Sequence, residues 1–92
     1  MHAGLNFKNE DPFQDEHAMM WIREFKVDEK KLDGRIIVHG HTPITLAQIK
    51  AQAGSNVIDI DGGCVYTDRS GFGYLVALNL YKGELFVVEN CE

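Results

Sequence analysis

Long apolar runs, cysteine and proline are all scarce in this sequence. Its 92 residues include two cysteines and two prolines, and its apolar runs are only a few residues long. A bilayer-spanning helix needs about 20 consecutive apolar residues, so no membrane segment is predicted. Cys64 and Cys91 form no CxxC pair, which predicts reduced thiols in a cytoplasmic protein and excludes a disulfide-rich secreted scaffold.

Basic charge is also in short supply. Nine Lys and Arg residues stand against 14 Asp and Glu residues, which gives a net charge of −5 at pH 7. Binding nucleic acid through its phosphates requires a broad basic face, so no nucleic-acid partner is predicted. No basic segment followed by an apolar one opens the chain, so no secretory signal is predicted either.

Hydrophobic spacing predicts two helices in a single α/β domain over residues 1–92. The first helix is predicted from Asp15, as its N-cap, through Phe25, and the second over residues 44–53, ended by Gly54. Residues 26–34 have the composition of a charged surface connection that ends in a turn. The domain therefore begins with helical and loop segments before its first strand.

Four strands of mixed direction are predicted alongside these helices. They cover residues 35–38, 56–61, 73–80 and 84–90. The first is continuously apolar, which is typical of a strand buried on both faces. The last two flank Tyr81-Lys82-Gly83, a pattern that predicts an antiparallel hairpin.

The strand at 35–38 ends in His39-Gly40-His41-Thr42-Pro43. In open α/β sheets, ligands bind outside the carboxyl ends of the strands. Glycine lets the backbone approach a ligand, proline fixes the turn that follows, and neutral imidazole is a common metal ligand. The pattern favours a metal or phosphate site, although a lone histidine at a strand end is more often structural.

Three further motifs accompany this one in a fixed order. His-Ala-Gly lies at 2–4, Trp-Ile-Arg at 21–23, Gly-His-Thr-Pro at 40–43 and Ile-Asp-Gly-Gly-Cys-Val-Tyr at 60–66. Together they resemble the C-terminal third to half of the calcineurin-like metallophosphoesterases. The resemblance covers essentially the whole chain. Within that family the chain most resembles the phosphoprotein phosphatase branch. Its motifs are similar to those of the bacterial serine/threonine phosphatase type, close to the symmetrical dinucleoside-tetraphosphatases.

This resemblance implies a fold and three site residues. The chain would be the C-terminal portion of a metallophosphoesterase sandwich, in which His2 and His41 ligate the second metal of a dinuclear centre. Arg23 would clamp the substrate phosphate, a role suited to the planar fork of guanidinium donors. The implied cofactor is a divalent metal (Mn, Fe, Zn or Mg) that polarises phosphate oxygens. The implied substrate is a phosphoprotein or another phosphoester.

Structural explanations stand beside these roles. His2 alone could be a frayed terminal residue, and Arg23 could lie on the solvent side of the first helix. A further group is expected to serve structure more than chemistry: Trp21, His39, Asp61 and Cys64. Asp59 could pass for a carboxylate ligand, and His17, among charged residues, is expected to be exposed.

The family's N-terminal motifs are missing from this sequence. Asp-x-His-Gly, Gly-Asp-x-x-Asp-Arg-Gly and Gly-Asn-His-Glu do not occur, and they carry every ligand of the first metal and the catalytic acid. The chain is therefore expected to be a fragment that lacks its N-terminal half, with metal binding weak or absent and no activity alone. An uncovered flank at 35–38 predicts a homo-oligomer. The alternative is a non-catalytic α/β module that serves assembly.

Overall fold

The computed structural model describes residues 1–91 and shows a mixed α/β fold of short elements. In chain order they are α1 (Glu16–Trp21), α2 (Glu29–Leu32), β1 (Ile37–His39), α3 (Leu46–Lys50), β2 (Val57–Asp59), β3 (Tyr74–Asn79) and β4 (Glu84–Glu89). A 3₁₀ turn at Pro12–Gln14 precedes α1. The predicted α/β class and four strands are confirmed, with one helix more than expected. Within residues 1–91, no helix is long and apolar enough to cross a membrane.

Helix α1 begins where predicted and ends early. The Asp15 carboxylate accepts a hydrogen bond from the Ala18 N–H at 3.0 Å, which confirms Asp15 as the N-cap. The predicted continuation to Phe25 is wrong, because Ile22 is already extended with ψ 136°. Leaving the helix lets the Phe25 ring pack against Gly4 and stand edge-on to His39, with ring centroids 5.3 Å apart.

The predicted charged connection contains the unpredicted helix α2. Asp28 caps it by accepting a hydrogen bond from the Lys30 N–H at 3.1 Å. Asp33 (φ 53°) and Gly34 (φ 73°) form the left-handed turn that follows, as predicted. Leu32 is the one buried side chain of α2: it is 1% exposed, while its neighbours face solvent or are only partly covered.

The hydrophobic core lies between the amino-terminal segment, α2 and β1. Its buried members are Leu5, Phe7, Leu32 and Ile37. Partly buried side chains from the segment after α1 pack against it, among them Phe25 and Val27. Burial of apolar area is the main favourable term in folding, so this cluster holds the amino-terminal third onto β1.

Strands β1 and β2 are parallel, with Ile37, Val38 and His39 opposite Val57, Ile58 and Asp59. Helix α3 connects them and starts in a capping box made by Thr45 and Gln48. It ends at Lys50 with Ala51 as its C-cap, so the predicted Gly54 cap is wrong, and Gly54 (φ 82°) lies in the turn beyond. The Gln52 amide then donates to the Asp59 carbonyl and accepts from the Asp59 N–H, both at 2.8 Å, which closes the outer edge of β2.

Strands β3 and β4 form the predicted antiparallel hairpin, in register from Tyr74↔Glu89 to Asn79↔Glu84. Gly83 (φ 69°) supplies the left-handed conformation in its turn. The hairpin is a separate two-stranded sheet, joined to the loop after β2 by a parallel bridge between Gly63 and Tyr74. One face of the hairpin packs inward through Val76, which is buried.

Exposed apolar surface occurs both in the predicted segment at 35–38 and on the hairpin. Ile36 is 61% exposed, so the expected burial of this segment on both faces is wrong. The end of β1 is covered by the amino-terminal segment, because the Gly40 N–H donates to the His2 carbonyl at 2.7 Å. The outward face of the hairpin carries Leu75, Phe86 and Val88, which are all exposed. Leu75 and Val88 are cross-strand partners, so the exposed side chains form one patch.

Candidate metal site

His41 lies two residues beyond the end of β1 in a left-handed backbone conformation. Its φ is +72°, which costs a residue with a side chain about 1 kcal/mol or more. Hydrogen bonds on both sides hold it there: Gly40 N–H to the His2 carbonyl at 2.7 Å, and Ile44 N–H to the Asp61 carbonyl at 2.9 Å. This conformation turns the His41 ring towards the amino-terminal segment, and nothing in the sequence pattern alone predicted it.

The two predicted ligand residues meet although they are far apart in the sequence. His2 Nε2 lies 3.0 Å from His41 Nδ1, across 39 positions, and the ring centroids are 4.8 Å apart. The expected proximity is therefore confirmed. Two imidazole nitrogens on one tetrahedral Zn²⁺ ion, each about 2.0–2.1 Å from it, would lie about 3.3–3.4 Å apart. The observed spacing of 3.0 Å is a few tenths of an ångström shorter, so a small outward shift of the rings would admit one ion, and without an ion one ring can donate to the other.

The segment that carries Arg23 passes beside this pair. The Trp21 ring stands edge-on to the His41 ring, with centroids 6.1 Å apart, and the Thr42 hydroxyl donates to the Arg23 carbonyl at 3.4 Å. Arg23 is exposed and lies beyond the end of α1, so it is not on a helical face. Its carbonyl is held to Thr42, the residue after His41, and its side chain is exposed.

A cleft of about 490 Å³ opens next to the pair, and its lining includes both histidines, Asp61 and Cys64. Asp61 Oδ1 accepts a hydrogen bond from the Gly63 N–H at 3.0 Å, as expected of a residue that fixes the loop after β2. Cys64 is half-buried, and its carbonyl accepts from the Asn90 side chain at 2.8 Å. Neither side chain completes a ligand set: within residues 1–91 no group of three or more His, Cys, Asp or Glu residues can hold an ion.

The remaining candidates are structural or exposed. His39 is buried against Phe25, which agrees with its expected structural role. Asp59 is 6% exposed and lies opposite His39 in the β1–β2 register. Its carboxylate accepts the Asp61 N–H at 2.8 Å, so it supports the same loop instead of facing the cleft. His17 is exposed, as expected.

Comparison with known proteins identified no similar protein. No protein-family model, no curated protein and no solved structure matches this chain. The chemistry of the site therefore has to be argued from the residues and their geometry.

Burial of Asp59 should make stability fall as the pH rises. Burial, reinforced by the nearby Asp61 carboxylate, raises the pKa of Asp59, while the Asp61 N–H and His39 act in the opposite direction. A carboxyl with a raised pKa stabilises the fold fully below the ordinary Asp range, and this stability is lost as pH rises through the raised value. Asp59→Asn should therefore gain stability over the parent as the pH rises from 4 to 8, measured by urea unfolding.

Asp15→Asn is the matched control, for which the change of stability with pH should have the opposite sign. Hydrogen bonds from Ala18 N–H and from the Asn6 side chain lower the pKa of Asp15, so its ionised form stabilises the fold above the ordinary Asp range and this is lost in acid. Asparagine is also a good N-cap. Asp15→Asn should therefore lose stability relative to the parent towards neutral pH. Parallel pH trends in the two variants would contradict the burial argument.

Proposed function

We propose that this chain is part of a metal-dependent phosphoester hydrolase of the serine/threonine phosphatase type. It contributes His2 and His41 to one divalent ion and Arg23 to the substrate phosphate. The observation that carries the proposal is the 3.0 Å separation of His2 Nε2 and His41 Nδ1. The order of four motifs along the sequence supports it, and so does the Arg23 backbone beside the pair.

The fold assigned under this proposal is the C-terminal portion of a metallophosphoesterase sandwich. Two separate small sheets within residues 1–91 are compatible with it. The parallel β1–β2 pair would present its carboxyl ends to the substrate, as ligand sites do in α/β sheets.

The donors favour some metals over others. Imidazole suits Zn and Fe, whereas Mg and Mn prefer carboxylate oxygens and water, so Zn or Fe fits the pair better than Mg or Mn. The ion would supply Lewis-acid stabilisation of phosphate charge. The donors fit a single ion and not a dinuclear centre, because no larger ligand group exists in the described part of the chain. Binding should thus be weak and the isolated chain inactive.

A metal titration tests the histidine assignment. Zn²⁺ binding by the 92-residue chain, followed by calorimetry, should weaken at least tenfold in His2→Ala and in His41→Ala, because a single imidazole remains. His17→Ala removes an exposed histidine outside the pair and is the matched control. An equal loss of Zn²⁺ affinity in all three variants, or no loss of affinity in any of them, would contradict the assignment.

Phosphate binding tests the role of Arg23, and turnover tests the expected inactivity of the isolated chain. Arg23→Ala should leave Zn²⁺ affinity unchanged and weaken the binding of inorganic phosphate to the Zn²⁺-loaded chain. Arg23→Lys should restore it only in part, because a point charge replaces a bidentate fork. Hydrolysis of para-nitrophenyl phosphate should stay at background even with added Mn²⁺. Metal-dependent hydrolysis that His41→Ala abolishes would overturn the view that the chain is incomplete.

A non-catalytic assembly module is the second candidate function. The apolar patch of Leu75, Phe86 and Val88 on the outward face of the hairpin favours it, because contiguous exposed apolar surface marks interaction sites. Phe86→Glu would disrupt assembly through this face and leave Zn²⁺ affinity unaltered. The two candidate functions therefore predict different sensitive residues.

A further inference from the structure

The histidine pair is an incomplete set of ligands. Zn²⁺ in structural sites takes four ligands in a tetrahedron, and the pair provides two nitrogens. Within residues 1–91 no third His, Cys, Asp or Glu is placed to join them. An ion held by this pair would have two positions left for other donors.

The surroundings of the pair leave room for a second molecule. His2 is exposed, and so are Met20 and Trp21, at 54% and 59%. Trp21 stands against the His41 ring, so its apolar surface adjoins the place where an ion would sit. Tryptophan and methionine are enriched at protein interfaces. One exposed apolar ring, that of Trp21, therefore lies beside the pair, where a second molecule could cover it.

We propose that two copies of this chain share one zinc-like ion, to which each contributes His2 Nε2 and His41 Nδ1. The proposal rests on the assignment of this pair as a metal site under the proposed function. A tetrahedron has two-fold axes that exchange opposite edges, so two identical pairs related by such an axis supply four nitrogens at once. The resulting dimer is closed, as two-fold interfaces are.

Sharing the ion has a consequence for chemistry. Catalytic zinc keeps one position open for water or substrate, whereas a structural site is closed by protein ligands. With four imidazoles around it, the ion would link the two copies and leave no position for phosphate, so phosphate would bind the ion only where the dimer has dissociated. The isolated chain would then be inactive even when it is loaded with metal.

Charge gives the linkage a distinctive salt dependence. Each copy carries a net charge of −5, so two copies repel each other at low ionic strength. Salt screens this repulsion over about 8–10 Å at physiological concentrations. The metal-linked dimer should tighten as salt rises within this range, which is the reverse of a dimer held by surface ion pairs.

Cobalt is a suitable probe because its visible absorption reports tetrahedral coordination. The 92-residue chain should be titrated with Co²⁺ while its mass is followed by sedimentation velocity. We expect saturation at one ion per two chains, a tetrahedral spectrum and a dimer that a chelator dissociates. His2→Ala and His41→Ala should remain monomeric under the same conditions, whereas His17→Ala should behave like the parent.

The other outcomes separate this proposal from the proposed function. A monomer that binds one Co²⁺ per chain would overturn the shared ion and leave the metal-site assignment intact. Absence of binding would overturn both. A dimer that forms without metal and survives chelation and His41→Ala would overturn the shared ion. Loss of that dimer in Phe86→Glu would assign it to the hairpin face.

Discussion

Leu32→Ala should lower the free energy of unfolding by about 2–5 kcal/mol, the range found when a buried leucine is truncated. Leu32 is 1% exposed and is the buried side chain of α2. It packs with Leu5 and Ile37 in the core, so its loss leaves a cavity between α2 and β1. A domain of this length has about 5–14 kcal/mol of stability in total. The variant should therefore show a much lower urea midpoint by circular dichroism.

Leu75→Ala provides the matched control for this change. It is the same substitution in a residue that is 62% exposed on the outward face of the hairpin. Removing atoms that already face solvent creates no cavity, so the effect should stay within about 0.5 kcal/mol. Equally large losses in the two variants would show that the outward face of the hairpin is buried, and equally small losses would show that Leu32 is not.

Local chemistry explains why the hairpin and the start of α1 were predictable. Short apolar runs rich in strand-forming residues lie on both sides of Tyr81-Lys82-Gly83 and indicate two strands joined by a tight turn, and Gly83 adopts the positive φ that the turn needs. The Asp15 cap depends on an N–H only three residues away. Both features involve neighbours in sequence, so the sequence pattern was enough.

The misplaced end of α1 has a tertiary cause. The spacing of Ile22 and Phe25 suits a helical face, yet the chain is extended there because Phe25 packs on Gly4 and His39. These partners are distant in sequence, so helical periodicity cannot reveal them. Helix α2 was missed for the opposite reason: a single buried leucine makes no periodic pattern.

The candidate site could be predicted only in part. The strand ending in Gly40-His41 pointed to a ligand site by itself, but the pairing of His41 with His2 came from the order of the motifs. Nothing in the sequence indicates that His41 has a positive φ, because its backbone is set by contacts with the amino-terminal segment and with Asp61. Long-range hydrogen bonds thus fix the geometry of the site, which local sequence patterns cannot reveal.

Gly62→Ala should be the other strongly destabilising change, with a loss of about 2–4 kcal/mol from overpacking and weakened hydrogen bonds. A Cβ at Gly62 would lie 2.6 Å from the Tyr74 carbonyl oxygen, which is backbone and cannot rotate away. The Gly62 carbonyl also accepts from Gly73 N–H at 3.1 Å and Tyr74 N–H at 3.3 Å. The loop after β2 and the hairpin would have to separate, since these contacts hold them together.

Gly40→Ala tests whether this effect belongs to one contact or to any glycine near the histidines. A Cβ at Gly40 would meet the Asp61 Cβ at 3.5 Å and the His2 carbonyl oxygen at 3.8 Å, which are ordinary van der Waals distances. Its urea midpoint and its Zn²⁺ affinity should therefore stay close to those of the parent. Amide exchange at Tyr74 and Asn90 should accelerate in Gly62→Ala alone, because their N–H groups bond to Gly62 and Gly73. Fast exchange in both variants, or in neither, would mean that the hairpin is held by something other than this glycine contact.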